Sequence, residues 1–203
     1  MKKRRTAILM LALLLILSCW SGYAVHVQEQ LANKVLRLHV IANSDSKEDQ
    51  RLKMKVKDRV YDAAEFILKE AKDREDAVQR LNRELPRLKR EAIEALQAEG
   101  CGDSVSVKLE ETNFPTKEYD GFAFPAGRYL ALRVIIGSGE GKNWWCVVFP
   151  PLCSASAAEF QQQAHMAGMT EEEIRLITEE DGGCVFRFRL VELWQKLFCQ
   201  IRK

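Results

Sequence analysis

Apolar and polar positions change period along this chain, and the changes mark its elements. Val35 to Ala42 alternates, with Leu36, Leu38 and Val40 on one face and Val35, Arg37, His39 and Ile41 on the other, which predicts a strand. Asn43, Ser44, Asp45 and Ser46 are turn and cap residues that end it, and Ser46 with Asp49 three positions on fits a capping box. The period then lengthens to that of a helix. Leu52, Val56, Val60, Ala63, Ala64, Ile67 and Ala71 make one apolar stripe, and a second helix from Asp73 to Ala98 carries Val78, Leu81, Leu85, Leu88, Ala92, Ala95 and Leu96. Pro86 interrupts the second stripe and predicts a kink or a restart there. Together the two read as an αα-hairpin lying on a sheet.

Alternation returns over Ser104 to Glu110, with Val105, Val107 and Leu109 inward, and again over Tyr129 to Ile136. Between them Phe114, Tyr119, Phe122 and Phe124 stand among Pro115, Gly121, Pro125 and Gly127, an ordered connection or short hairpin whose aromatics fill the core. The glycine-rich run GSGEGKN then leads to Trp144 to Phe149, an apolar and aromatic strand pattern, so the two strands around it read as a β-hairpin. Pro150 and Pro151 lack a backbone donor and stop the second strand. A weak helix through Gln161 to Gln163, a helix capped by Thr170, a strand over Cys184 to Val191 and a terminal amphipathic helix with Leu193, Trp194, Leu197, Phe198 and Ile201 complete the pattern. No repeat or linker divides the chain after residue 34. The expected fold is one α+β domain over residues 35–203, with about five mainly antiparallel strands and the helices packed on them.

The N-terminus belongs to a different class. Lys2, Lys3, Arg4 and Arg5 precede the apolar run Ala7 to Leu17, and Gly22 and Ala24 are small residues before a cut, so residues 1–24 read as a signal peptide followed by a lead-in over 25–34. Two alternatives stay open: an uncleaved membrane anchor, and a lipoprotein-type box at Ile16 to Cys19. Losing the four leader cations takes the formal charge from +2 to −2, so the apparent basicity belongs to the leader and points away from nucleic acid. Lys53, Lys55, Lys57 and Arg59 do not reverse this, because Glu48, Asp49, Asp58 and Asp62 are interleaved with them as on an ion-paired, solvated face.

Candidate chemistry is sparse. Gly137, Gly139, Gly141 and Lys142 lack the spacing and the following hydroxyl of a phosphate loop. Export would leave Cys101, Cys146, Cys153, Cys184 and Cys199, an odd number, in surroundings where disulfides persist. Cys146 and Cys153 are too far apart for a close zinc pair, and only His26, His39 and His165 offer imidazole, so no metal or other cofactor is expected. A Cys146–Cys153 disulfide is one reading, since the double proline folds the chain back between them; pairing of either with Cys101 or Cys184 is the other. A cysteine hydrolase built on Cys146, His39 and Asp45 would need a reactive thiol in an apolar strand, where burial raises its pKa. Trp144 and Trp145 must face opposite sides of their strand, both into the core or one outward as an anchor for a partner. From residues alone, this is an exported binding or signalling module rather than an enzyme.

Two long blocks sharpen that reading. LRLHVIANSDSKEDQRLKMKVKDRV (Leu36 to Val60) and FPTKEY with FPAGRYLALRVIIGSGEGKNWWCVVFPPLC (Phe114 to Tyr119, Phe124 to Cys153) resemble the stage II sporulation protein R family of endospore-forming bacteria, and FRFRLVELWQKL (Phe186 to Leu197) is similar to its C-terminal segment. The resemblance implies a protein made in the forespore and exported into the space between forespore and mother cell. There it would trigger a membrane-bound aspartic protease that removes the pro-sequence of sigma-E. On that expectation the partner is the extracytoplasmic region of the protease, and membrane contact is limited to an uncleaved leader. The partner surface would combine the corner Asn43, Ser44 and Asp45 with Trp144, Trp145 and the loop holding Pro150 and Pro151, since exposed polar corners and constrained aromatic loops serve binding. The competing class is an exported cell-wall or peptide hydrolase, which product release from peptidoglycan or peptides would reveal.

Overall fold

The computed structural model describes residues 4–6, 10–12, 22, 26, 28–119, 121–152 and 157–178. The strand expected over Cys184 to Val191, the terminal amphipathic helix, Cys153, Cys184 and Cys199 lie outside them. In chain order the elements are β1 (Leu36–Ile41), α1 (Lys47–Leu68), α2 (Arg74–Ala98), β2 (Val105–Phe114), β3 (Lys117–Tyr119), β4 (Phe122–Phe124), β5 (Gly127–Ile136), β6 (Asn143–Phe149), α3 (Ala157–Met166) and α4 (Glu171–Thr178).

The fold is α+β, but its sheet differs from the expected one. Four strands form a mixed sheet in the order β2-β5-β1-β6, and β3 with β4 forms a separate two-stranded sheet. β1 runs parallel to β5 and antiparallel to β6. The hairpin expected between β5 and β6 therefore does not form, because β1 lies between them. The reason is in β1 itself: all six of its residues are buried, and a strand buried on both faces gains most with a neighbour on each side. The run Gly137 to Lys142 must then cross two strand spacings, about 10 Å, which six residues span with slack.

Alternation along the central strands sends side chains into two cores. Leu36, Leu38 and Val40 of β1 join Leu132, Val134, Cys146 and Val148 under the stripes of α1 and α2. The other sheet face meets Phe114, Phe122, Phe124, Phe160 and Ile177, contributed by the end of β2, by β4, α3 and α4. Leu31 and Ala32, within the lead-in expected over 25–34, are buried in this second core.

Caps hold the helices where the sequence placed them. The Ser46 hydroxyl accepts from Asp49 N, the Asp73 carboxylate accepts from Asp76 N, and Thr170 and Glu173 exchange bonds through Thr170 Oγ1 and Glu173 Oε2. Glu173 also meets Lys34 Nζ at 2.6 Å. Helix α2 runs unbroken through Pro86, so the expected restart is absent. Asn82, whose carbonyl the proline leaves without a donor, shares the exposed side with Pro86, where solvent has access to it.

Candidate functional site

The corner after β1 is built by the glycine loop that crosses it. Ala42 O accepts from Gly141 N at 2.9 Å and Asn43 O from Glu140 N at 3.1 Å. Asn43 Oδ1 accepts from Ser138 N at 3.0 Å, while its Nδ2 donates to Asp49 Oδ2 at 3.1 Å. Ser44 Oγ donates to the same carboxylate at 2.5 Å, and Asp45 Oδ1 accepts from Lys142 N at 2.7 Å. The Ser44 hydroxyl, helped by Asn43 and Ser46, holds the Asp49 carboxyl below its usual range. Lys53 Nζ donates to Lys142 O from the helix side. Asn43 thus ties loop to helix, Ser44 bonds to the helix and Asp45 to the loop, and Asp45 remains exposed.

Glycine is required in this loop for room. A Cβ on Gly141 would stand 2.3 Å from the backbone oxygen of Ser44, and one on Gly137, at φ +56°, would stand 2.2 Å from Asn43 Oδ1. Gly141→Ala is expected to cost about 2 kcal/mol, because the atom it meets is backbone and the loop must shift. Urea unfolding tests this, and an unchanged midpoint would show that the loop is not fixed to the corner.

The tryptophans face opposite sides of β6, as their adjacency requires, and both are half-buried. Trp144 packs against the helix-side core with Lys57 Nζ 5.1 Å from its ring centroid. Trp145 stacks on His39, ring centroids 3.8 Å apart, and meets Phe114 edge-on. His39 Nε2 donates to Asn143 Oδ1 at 2.7 Å and leaves Nδ1 buried without a partner. Burial lowers its pKa to about 4, so the imidazole is neutral. The Cys146, His39 and Asp45 constellation is not assembled: Asp45 is bonded to Lys142 N, His39 to Asn143, and Cys146 is buried and disulfide-bonded. Its disulfide partner lies outside the described residues; Cys101, a free thiol, is not that partner.

Register divides the expected surface. Ile41 pairs with Asn143 at one end of β1 and Leu36 with Phe149 at the other. The corner and the tryptophans share the first end. Pro150 and Pro151 lie beyond the second, about 17 Å away at strand rise. There they border a groove of about 570 Å³ with Phe149, Asp62, Glu65 and Phe66. Phe66 is 68% exposed. It lies off the apolar stripe of α1, the one sequence signal that an aromatic side chain would be left outside the core. Among the described residues no His, Cys, Asp and Glu side chains gather as a metal site, and no helix is long and apolar enough to cross a membrane.

Comparison with known proteins gives two matches in sequence. The family model described as "Stage II sporulation protein R" matches residues 32–159. The chain is also 34% identical over 186 residues to stage II sporulation protein R of Bacillus subtilis (strain 168), an alignment that covers 83% of each chain. No solved structure matches.

Proposed function

From the fact that this chain belongs to the stage II sporulation protein R family, we propose that it is an exported sporulation signal. In this reading the forespore makes it and sends it into the intermembrane space. There it activates the membrane-bound aspartic protease of the mother cell that matures pro-sigma-E. The observation that carries the reading is the likeness over most of both chains to a protein named for sporulation, joined to the leader pattern of residues 1–24. The protein acts by being recognised and makes or breaks no bonds. A neutral His39 enclosed by Trp145 and Phe114 fits a structural role better than proton transfer.

The proposed partner surface is the corner Asn43, Ser44 and Asp45 with the neighbouring Trp144 and Trp145; Pro150 and Pro151 contribute a second, separate contact. A Cys146–Cys153 disulfide constrains the segment after β6. Mass spectrometry of the exported, unreduced protein tests it, and free thiols at both positions would remove it.

Co-expression with the protease in a host lacking both proteins is the deciding experiment, scored as pro-sequence removal with and without residues 1–24. Asp45→Ala is expected to reduce processing about tenfold, the effect of one modest interface contact. It should cost under about 1.5 kcal/mol of stability, since it removes one exposed hydrogen bond. Full processing with Asp45→Ala would exclude the corner from the partner surface. Processing in the absence of this protein would overturn the signalling role.

A further inference from the structure

Phe66 is a ridge between two grooves. On the sheet side lies the groove of about 570 Å³ bordered by Pro150 and Pro151, with Asp62 and Glu65 on its rim. On the other side a groove of about 490 Å³ runs along α2, lined by Arg80, Arg83 and Arg87 with Glu70 and Glu84, and Lys69 borders both. Among the described residues Asp62, Glu65, Arg83 and Arg87 form no ion pair; Arg80 is tied to Asp76. The Arg87 guanidinium carbon is 5.5 Å from the Phe66 ring centroid. An exposed aromatic side chain thus separates an acidic rim from a predominantly basic one.

From this charge arrangement we infer that the surface pairs with a second copy of the same chain about a two-fold axis through Phe66. A two-fold operation turns each groove onto the other, so the Asp62 and Glu65 rim of one copy meets the Arg83 and Arg87 rim of its mate twice over. The two Phe66 rings then cover each other at the centre, where an apolar anchor contributes most to association. An anionic lipid surface fits less well, because Asp62 and Glu65 would face the same phosphates as the arginines. The groove shares Pro150 and Pro151 with the second partner contact proposed above but not the corner, and the pairing is read in solution with no protease present, so the two proposals fail separately.

Sedimentation equilibrium of the full chain from roughly 1 μM to 1 mM, the range in which small interfaces associate, is expected to show a monomer–dimer equilibrium. Phe66→Ser, a change at an exposed position, should weaken it at least tenfold. The charge reversals Asp62→Lys with Glu65→Arg, and Arg83→Glu with Arg87→Glu, should each leave monomers when alone. An equimolar mixture of the two should form a heterodimer about as tight as the wild-type dimer, because every facing rim is again opposite in sign. That rescue cannot come from misfolding. A monomeric wild type, or a mixture that stays monomeric, overturns the proposal. So does a photocrosslinker at position 66 that captures only this chain's own tail, or a wild type that stays monomeric in solution and co-sediments with anionic vesicles through Phe66.

Discussion

Replacing Arg37 with alanine is expected to lower the unfolding free energy by about 3–5 kcal/mol, the range for emptying a large core side chain. Arg37 is fully buried. Its Nε donates to Cys146 O at 2.9 Å and its Nη2 to Tyr119 Oη at 3.0 Å, and Tyr119 passes a bond on to Trp145 O. The guanidinium carbon is 4.3 Å from the ring centroid of Phe114, 4.9 Å from Tyr129 and 5.2 Å from Phe124. Such contacts contribute about 0.5–2 kcal/mol each when desolvated. No carboxylate pairs with this cation among the described residues, and Nη1 has no partner. Burying an unneutralised charge costs several kcal/mol, so the charge itself contributes little net stability, and filling the space between the aromatic rings contributes most. Arg37→Met keeps most of the volume and removes the charge, so it is expected to cost under about 1.5 kcal/mol. Urea midpoints for the two variants decide this. A methionine variant as unstable as the alanine one would show that the guanidinium, and not its bulk, holds the β3–β4 region to the sheet.

Arg37 also marks where sequence reasoning stopped. Period two placed it opposite Leu36 and Leu38, where a charged residue reads as solvent-facing; the aromatic cover comes from residues about 80 or 90 positions later, and no local pattern reports it. Elements were legible wherever a local rule acts. The stripes of α1 and α2, the caps at Ser46 and Thr170, and the strand patterns at β1, β2, β5 and β6 all depend on neighbours a few residues apart. Pairing is not local. β5 and β6 are adjacent in sequence with a glycine-rich link, which favours a hairpin, yet a strand buried on both faces competes for the position between them and wins. The clue was in the loop: three glycines at alternate positions exceed what a reversal needs, and two of them are spaces for the Asn43 side chain and the Ser44 carbonyl. The candidate surface was half legible for the same reason. Asn43, Ser44 and Asp45 were recognisable as a polar corner, whereas their bonds to Ser138, Asp49 and Lys142 follow only from the crossing loop.

Acidification is expected to remove about 3 kcal/mol of stability between pH 6.5 and pH 4 through His39 alone. In the folded protein its pKa lies at about 4, against an ordinary value of 6.5, chiefly because burial penalises the imidazolium. The Asn143 bond and Glu110 raise it in part, and Arg133 lowers it further. The unfolded chain therefore takes up a proton through pH 6.5 that the folded chain refuses until pH 4. Stability from this residue is complete above pH 6.5, falls as pH drops through that window, and levels off below pH 4; each pKa unit is worth about 1.4 kcal/mol. Asp49, Asp76 and Glu173 have pKa values below their ordinary carboxylate values, so their losses come at lower pH and do not imitate this slope. His39→Gln keeps a side chain able to donate to Asn143 and removes the titration. Urea unfolding at pH 7, 6, 5 and 4.5 should give parallel stabilities for the variant and a declining difference for the wild type. If the wild type holds its stability to pH 4.5, His39 is not enclosed by Trp145 and Phe114 in solution, and the edge of the sheet formed by β6 is open to water there.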